Sequence, residues 1–289
     1  MANIKELKTK IKGTKGTLKI TSAMKLVSAA KLNKAQQAIQ GSRPYAGELE
    51  DTIKTISALV ENYNHSYLNE NKENKRAALL VISANKGLCG GYNSQLAKEV
   101  KKFLANTDMD VKAYFIGKKV RELILSNVNE GKFYEFEKQD PSYLEIQQIS
   151  KELGDLFSAG EFGKVYVAYN VFKSAIEFIP TIKPVLPMTL EQKELEKVEA
   201  NFPFDFKYDP SPEELLDTLI PEAYMSTVYT CLLDGTAAEH GARMSAMDSA
   251  VTNCKDAIKS QTLKMNKLRQ AAITTELIEV VSGAESLKG

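Results

Sequence analysis

Apolar positions at the C-terminal end of the chain recur with a strict period. Met247, Val251, Cys254, Ile258, Gln261, Met265, Leu268 and Ala272 step alternately by four and three, a heptad seam with one polar member. The seam lies within Pro210–Gly289, where Glu213–Ala284 reads as one helix interrupted only by Pro221, Gly235 and Gly241. At 1.5 Å per residue those 72 residues would span about 108 Å, far more than an ordinary globular helix. So long a helix must lay its apolar stripe on a partner.

The N-terminal residues supply a candidate partner. Ile4, Leu7, Ile11, Thr14, Leu18 and Thr21 also step by three and four, and the stripe is predicted to continue, after a small phase shift, through Ile20, Met24 and Val27, then Leu49, Ile53, Ile56 and Val60. Antiparallel pairing of residues 1–60 with 211–289 in one chain is the preferred reading. A bundle of separate amphipathic helices and a homodimeric coiled coil are the alternatives.

Between these ends the period changes. Residues 61–76 are polar and Asn-rich and read as a linker, and Ala77–Ser83 is a short apolar run that ends at Gly87-Leu88-Cys89-Gly90-Gly91. Helices are predicted over Asn93–Leu104, Lys118–Leu125 and Tyr143–Phe157. Strands are predicted over Val111–Ile116, Phe133–Phe136, Val165–Val171 and Phe178–Leu186, the last with Pro180 and Pro184 and therefore suited to a sheet edge. The expected fold is α/β: a long antiparallel coiled coil of terminal helices with a Rossmann-like α/β domain inserted over 75–190.

Composition narrows the chemistry. No run approaches the ~18 apolar residues of a membrane span, and MANIKELKTK lacks the features of a signal or transit peptide. Cys89, Cys231 and Cys254 form no C-x-x-C pair, and His65 and His240 lie far from any cysteine, which argues for a reducing compartment and against a histidine-based metal site. The overall +1 charge hides an asymmetry: residues 1–43 carry nine lysines and Arg43 against Glu6 alone, whereas 191–222 hold ten acids against three lysines. A basic helix suits nucleic acid, anionic lipid or an acidic protein surface. Residues 1–43 contain no aromatic and no groove-reading motif, which disfavours nucleic acid.

The glycine turn after the first strand invites a nucleotide, but it reads G-x-x-G-G rather than G-x-G-x-x-G. The second strand ends at Gly117-Lys118-Lys119 with no ribose-binding acid, and no Walker motif occurs. No cofactor and no catalytic constellation is therefore expected; the glycines are assigned to a tight turn and close packing, and Cys89 to packing in that turn. A static coiled-coil scaffold with a degenerate Rossmann-like enzyme domain is the rival to a moving part.

Four segments resemble one family: Lys19–Ser28 (KITSAMKLVS), Gly87–Asn93 (GLCGGYN), Ala242–Met247 (ARMSAM) with Thr252-Asn253, and Arg269–Ala284 (RQAAITTELIEVVSGA). In order and in content they resemble the gamma subunit of rotary F-type ATP synthases, with Asn85-Lys86 and Cys254 departing from the usual Asp-Arg and alanine. The resemblance implies a non-catalytic central shaft turning inside a ring of alpha and beta subunits. Its α/β foot would lie against the epsilon subunit and the membrane c-ring, with the delta subunit in the same complex. It places Met24, Lys25, Arg243, Arg269, Gln270 and Thr274 at contacts with the ring, the basic face against acidic loops of beta, and the small apolar tip of Ala271, Ala272, Ile273, Val280, Val281 and Ala284 in an apolar collar. It implies a peripheral protein on the cytoplasmic face of a bacterial plasma membrane, coupled to proton flow. The two-cysteine insertion of chloroplast relatives is missing, so thiol regulation is not expected.

Overall fold

A computed structural model describes residues 2–60, 63–71, 73–136, 142–188 and 208–286. The acidic stretch predicted from residue 191 therefore lies largely outside the described residues. Helix α1 runs Ala2–Leu59, through Pro44, and the C-terminal helix α5 runs Pro212–Ser286, through Pro221. Between them come β1 (Arg76–Ile82), α2 (Tyr92–Asn106), β2 (Asp110–Ile116), α3 (Lys118–Ile124), β3 (Asn129–Tyr134), α4 (Tyr143–Ser158), β4 (Lys164–Ser174) and β5 (Glu177–Leu186). Every predicted strand and helix is present. The third strand starts four residues earlier than predicted, because Asn129–Lys132 is a polar edge that hydrophobicity does not mark.

The chain forms two compact units, one of Met1–Ser28 with Arg243–Gly289 and one of Ala29–Ala242. In the first, α1 and α5 run antiparallel. Lys25 Nζ lies 2.5 Å from Asp248 Oδ1, and Lys264 helps to hold the Glu6 carboxyl below its usual range, behind the nearer Lys10. On α5 the residues predicted for the seam, Met247 to Ala272, are all buried or half-buried, and most positions between them are exposed.

On α1 the seam corrects the predicted phase shift. Positions 4, 7, 11, 14, 18, 21, 25, 28, 32, 35, 39, 42, 46, 49, 53, 56 and 60 are all buried or half-buried, an unbroken heptad. Ile20, Leu26 and Val27 instead point outward, 63%, 70% and 59% exposed. A seam that holds its 3.5-residue period stays facing its partner over many turns, and a slip would rotate it away. Thr21, Lys25 and Ser28 occupy the seam where bulkier apolar neighbours do not.

The second unit is built on one sheet of order β3-β2-β1-β4-β5, parallel except for the antiparallel edge strand β5. Residues of β1 alternate between two cores. Leu79 and Val81 meet α2 and α3 through Leu96, Val100, Val120 and Ile124; Leu80 and Ile82 belong to the opposite core, with Ile53, Leu153, Leu216 and Tyr224. The predicted linker is not a free connection. It carries a 3₁₀ turn, Ser66–Leu68, whose Tyr67 is only 7% exposed and fits where a Cβ on Gly154 would come within 2.0 Å of its hydroxyl.

Candidate partner interface

The strand order reverses between β1 and β4, and in an open α/β sheet that switch point is where ligands enter. Here a helix occupies it. Tyr92, 1% exposed at the start of α2, donates its hydroxyl to the Gly235 carbonyl of α5 at 3.0 Å, and Asn170 Nδ2 donates to the Tyr92 carbonyl at 3.3 Å. The approach is close at Gly235, where an added Cβ would just touch Ile82 Cγ2 at 3.4 Å and the Tyr92 hydroxyl at 3.5 Å, both ordinary van der Waals contacts. The space left between Ser83, Tyr92, Leu232 and Thr236 is about 20 Å³, room for a single water and far too little for a nucleotide.

The glycine turn is likewise consumed internally. Asn93 Oδ1 accepts from the Ala84 N–H at 3.2 Å, and Asn93 Nδ2 donates to Cys89 Sγ at 3.1 Å. Cys89 is buried with Ala84, Tyr92, Ala238 and Ala242, as its assignment to turn packing requires. Titration of the full chain with ATP, NAD and related cofactors in a calorimeter is therefore expected to give no heat up to about millimolar, where binding is worth ~4 kcal/mol. A micromolar dissociation constant would show that the crevice opens.

The surface that remains is on the paired helices. From Ile273 to Glu285 every residue of α5 is exposed, including Ile273, Leu277, Ile278, Val280 and Val281. Five large apolar side chains bare on one helical segment mark a contact with something else. Arg269, Gln270 and Thr274 are exposed at its base, and the Thr274 hydroxyl donates to the Gln270 carbonyl at 3.0 Å. Met24 is half-buried beside the exposed Leu26 and Val27, an apolar patch that the predicted phase shift concealed. The structure does not bring the six predicted contact residues together. Arg243 is 7% exposed and has little surface left to offer, while Lys25 is engaged with Asp248.

That pairing gives Lys25→Glu a specific expectation. Two carboxylates would face each other across the seam, and an exposed pair of this kind is worth up to about 1 kcal/mol. If the internal pair is what matters, Lys25→Glu with Asp248→Lys restores both thermal stability and any lost coupling. If the Lys25 charge acts on another subunit, stability recovers in the double variant and coupling does not.

A pair of long antiparallel helices with a bare apolar tip, joined to a doubly wound sheet whose ligand crevice holds its own helix, defines a stalk protein that works through contacts. The family model described as ATP synthase matches residues 3–287. The ATP synthase gamma chains of Geobacter sp. (strain M21) and Flavobacterium psychrophilum are each 38% identical to this chain, over the full length of both partners in each comparison. The chain belongs to the ATP synthase gamma chain family. Its fold is similar to a chain of the Euglena gracilis mitochondrial ATP synthase, with TM-score 0.68, 17% identity and coverage of 99% of this chain and 95% of the other. It is also similar to a chain of the central stalk/c-ring structure from Tetrahymena thermophila, with TM-score 0.59, 23% identity and coverage of 80% and 99%.

Proposed function

We propose that this chain is the rotating central shaft of a proton-translocating F-type ATP synthase. It carries torque between the membrane c-ring and the beta subunits and makes or breaks no bond itself. The observation that carries this reading is the match over the whole chain to gamma chains, supported by the uncovered apolar residues of α5 beyond Ala272. Such a tip is suited to turning in an apolar collar of the alpha and beta subunits. A fixed, dry interface would hold it in one orientation; a smooth apolar sleeve lets it slide, because hydrophobic contact has no direction.

Arg269, Gln270 and Thr274 are the contacts with the ring at the tip, and Met24 with the newly exposed Ile20, Leu26 and Val27 forms a second contact on α1. Lys25 and Arg243 act through their own chain. The sheet domain meets the epsilon subunit and the c-ring, with delta in the same assembly, on the cytoplasmic face of the membrane. No described helix is long and apolar enough to cross a membrane, which suits attachment through these partners. Reconstitution with alpha and beta subunits is the test: the chain is expected to co-purify with the hexamer and raise its steady ATPase rate. A chain that leaves alpha and beta unassociated would overturn the assignment.

A further inference from the structure

The 3₁₀ turn Ser66–Leu68 fastens several elements at once. The Tyr67 ring packs edge-on to Phe157 of α4 and Tyr224 of α5, and the Tyr67 carbonyl accepts from the Met188 N–H, just past β5, at 2.7 Å. Ser66 and Ser158 hydroxyls lie 2.9 Å apart. What holds the turn closed is His65: its Nδ1 accepts the Tyr67 N–H at 3.1 Å while its carbonyl accepts the Leu68 N–H at 3.0 Å. Side chains that cap a helical turn are ordinarily Ser, Thr, Asp or Asn, which accept at any pH near neutrality. An imidazole accepts only while neutral; once charged, both ring nitrogens are donors.

We propose that His65 is a proton-operated clasp: neutral, it caps the turn that ties β5, α4 and α5 together; protonated, it releases the Tyr67 N–H and turns toward Asp217. The groups facing it make that second state available. Asp217 on α5 accepts from the Tyr63 hydroxyl at 2.7 Å, and Tyr63 stacks on the imidazole with ring centroids 6.4 Å apart. Glu213 of α5 lies near Tyr63, so the α5 side of the turn is negative. On the α4 side Asp155 lies near Tyr67 and shares a pocket with Lys151, so the charges there are mixed and the pull on a charged imidazole comes from α5. Tyr67 and Tyr224 are the remaining titratable neighbours, and burial pushes both phenols up, so they stay neutral.

Burial pulls the His65 imidazole below its usual value, against the opposing pull of Asp217. The sign follows. Stability from the neutral clasp is complete above the ordinary histidine value of about 6.5 and is lost as pH falls through the lowered value in the folded chain. His240, the other histidine, is 2% exposed on α5. The clasp operates within this chain, independent of any assembly.

Amide exchange of the full chain tests it, read by nuclear magnetic resonance as protection relative to the intrinsic rate at each pH. Between pH 8 and pH 5, protection of the Tyr67 and Met188 amides is expected to fall about fivefold, the size of a typical capping bond. The Leu79 and Leu80 amides in β1 should hold. His65→Asn accepts without titrating in this range and should keep Tyr67 protected at both pH values, whereas His65→Ala should leave it poorly protected at both. Unchanged wild-type protection, the same fall in His65→Asn, or an equal fall in β1 would each overturn the clasp.

Discussion

A disulfide from Val27→Cys on α1 to a cysteine in the surrounding ring is expected to stop steady ATP turnover and leave nucleotide binding intact, with reduction restoring the rate. The argument is one of symmetry: a single asymmetric pair of helices cannot present the same face to three equivalent beta subunits at once, so a rotor must change its contacts every cycle. Val27 is suitable because it is 59% exposed and outside the seam, so its loss removes no packing between α1 and α5. Cys231, a native thiol on the sheet-side part of α5, is unsuitable. It is 2% exposed, and burial raises its thiol to about 11, which leaves almost no thiolate to react at neutral pH. A tether beyond Thr274 would be ambiguous, since a bare helix end can be held while the helix below it swivels. Full multi-turnover activity in a complex shown to be cross-linked at Val27→Cys would exclude an obligatory rotor; the expected loss with recovery on reduction is not available to a static scaffold.

How far the sequence reveals this protein depends on the range of the interaction involved. The α5 seam was legible because its members are apolar and their neighbours are not, so the heptad stands out locally. The α1 seam was only half legible: Lys25 and Ser28 lie in it while Ile20 and Val27 lie outside, and hydrophobicity alone assigns these four the wrong way round. Tyr67 was missed because five asparagines surround it between Asn62 and Asn74, and nothing local marks the Gly154 recess that receives it. The closure of the crevice was out of reach altogether. The absence of a phosphate-binding spacing could be read, but the Tyr92 to Gly235 bond spans 143 residues, and only the unexplained glycine in a long helix hinted at a close approach. Among the partner contacts, the apolar tip came from the resemblance, and the exposure of Ile273, Leu277, Ile278, Val280 and Val281 on α5 supports it. Arg269, Gln270 and Thr274 were placed by resemblance alone, and the burial of Arg243 by its own chain had no local signal.

Gly117→Ala is expected to destabilise the sheet-bearing unit by on the order of 3–5 kcal/mol, a large part of a typical domain's stability. Gly117 has φ +84°, in the left-handed region, and a Cβ there would lie 1.9 Å from the Ser83 carbonyl oxygen and 2.6 Å from its carbon. Those atoms are backbone and have no rotamer to yield. Relief would require the carboxyl ends of β1 and β2 to part, breaking the bond from the Ser83 N–H to the Ile116 carbonyl at 2.7 Å. It would also break the bonds through which the Ser83 hydroxyl reaches the Gly117 carbonyl at 3.0 Å and accepts from the Val120 N–H at 3.4 Å. Each buried group left without a partner costs about 1–3 kcal/mol, beyond the ~1–3 kcal/mol for holding a residue with a Cβ at φ +84° and ψ 141°. Gly160→Ala separates these two contributions, because Gly160 has φ +78° but nothing within 4 Å of its added Cβ, so only the backbone cost of about 1–2 kcal/mol applies. Urea unfolding followed by tyrosine near-ultraviolet dichroism suits a chain with 12 tyrosines and no tryptophan. Equal losses in the two variants would mean that β1 and β2 can separate at little cost, and the crevice they close would then have to be regarded as one that can open to a ligand.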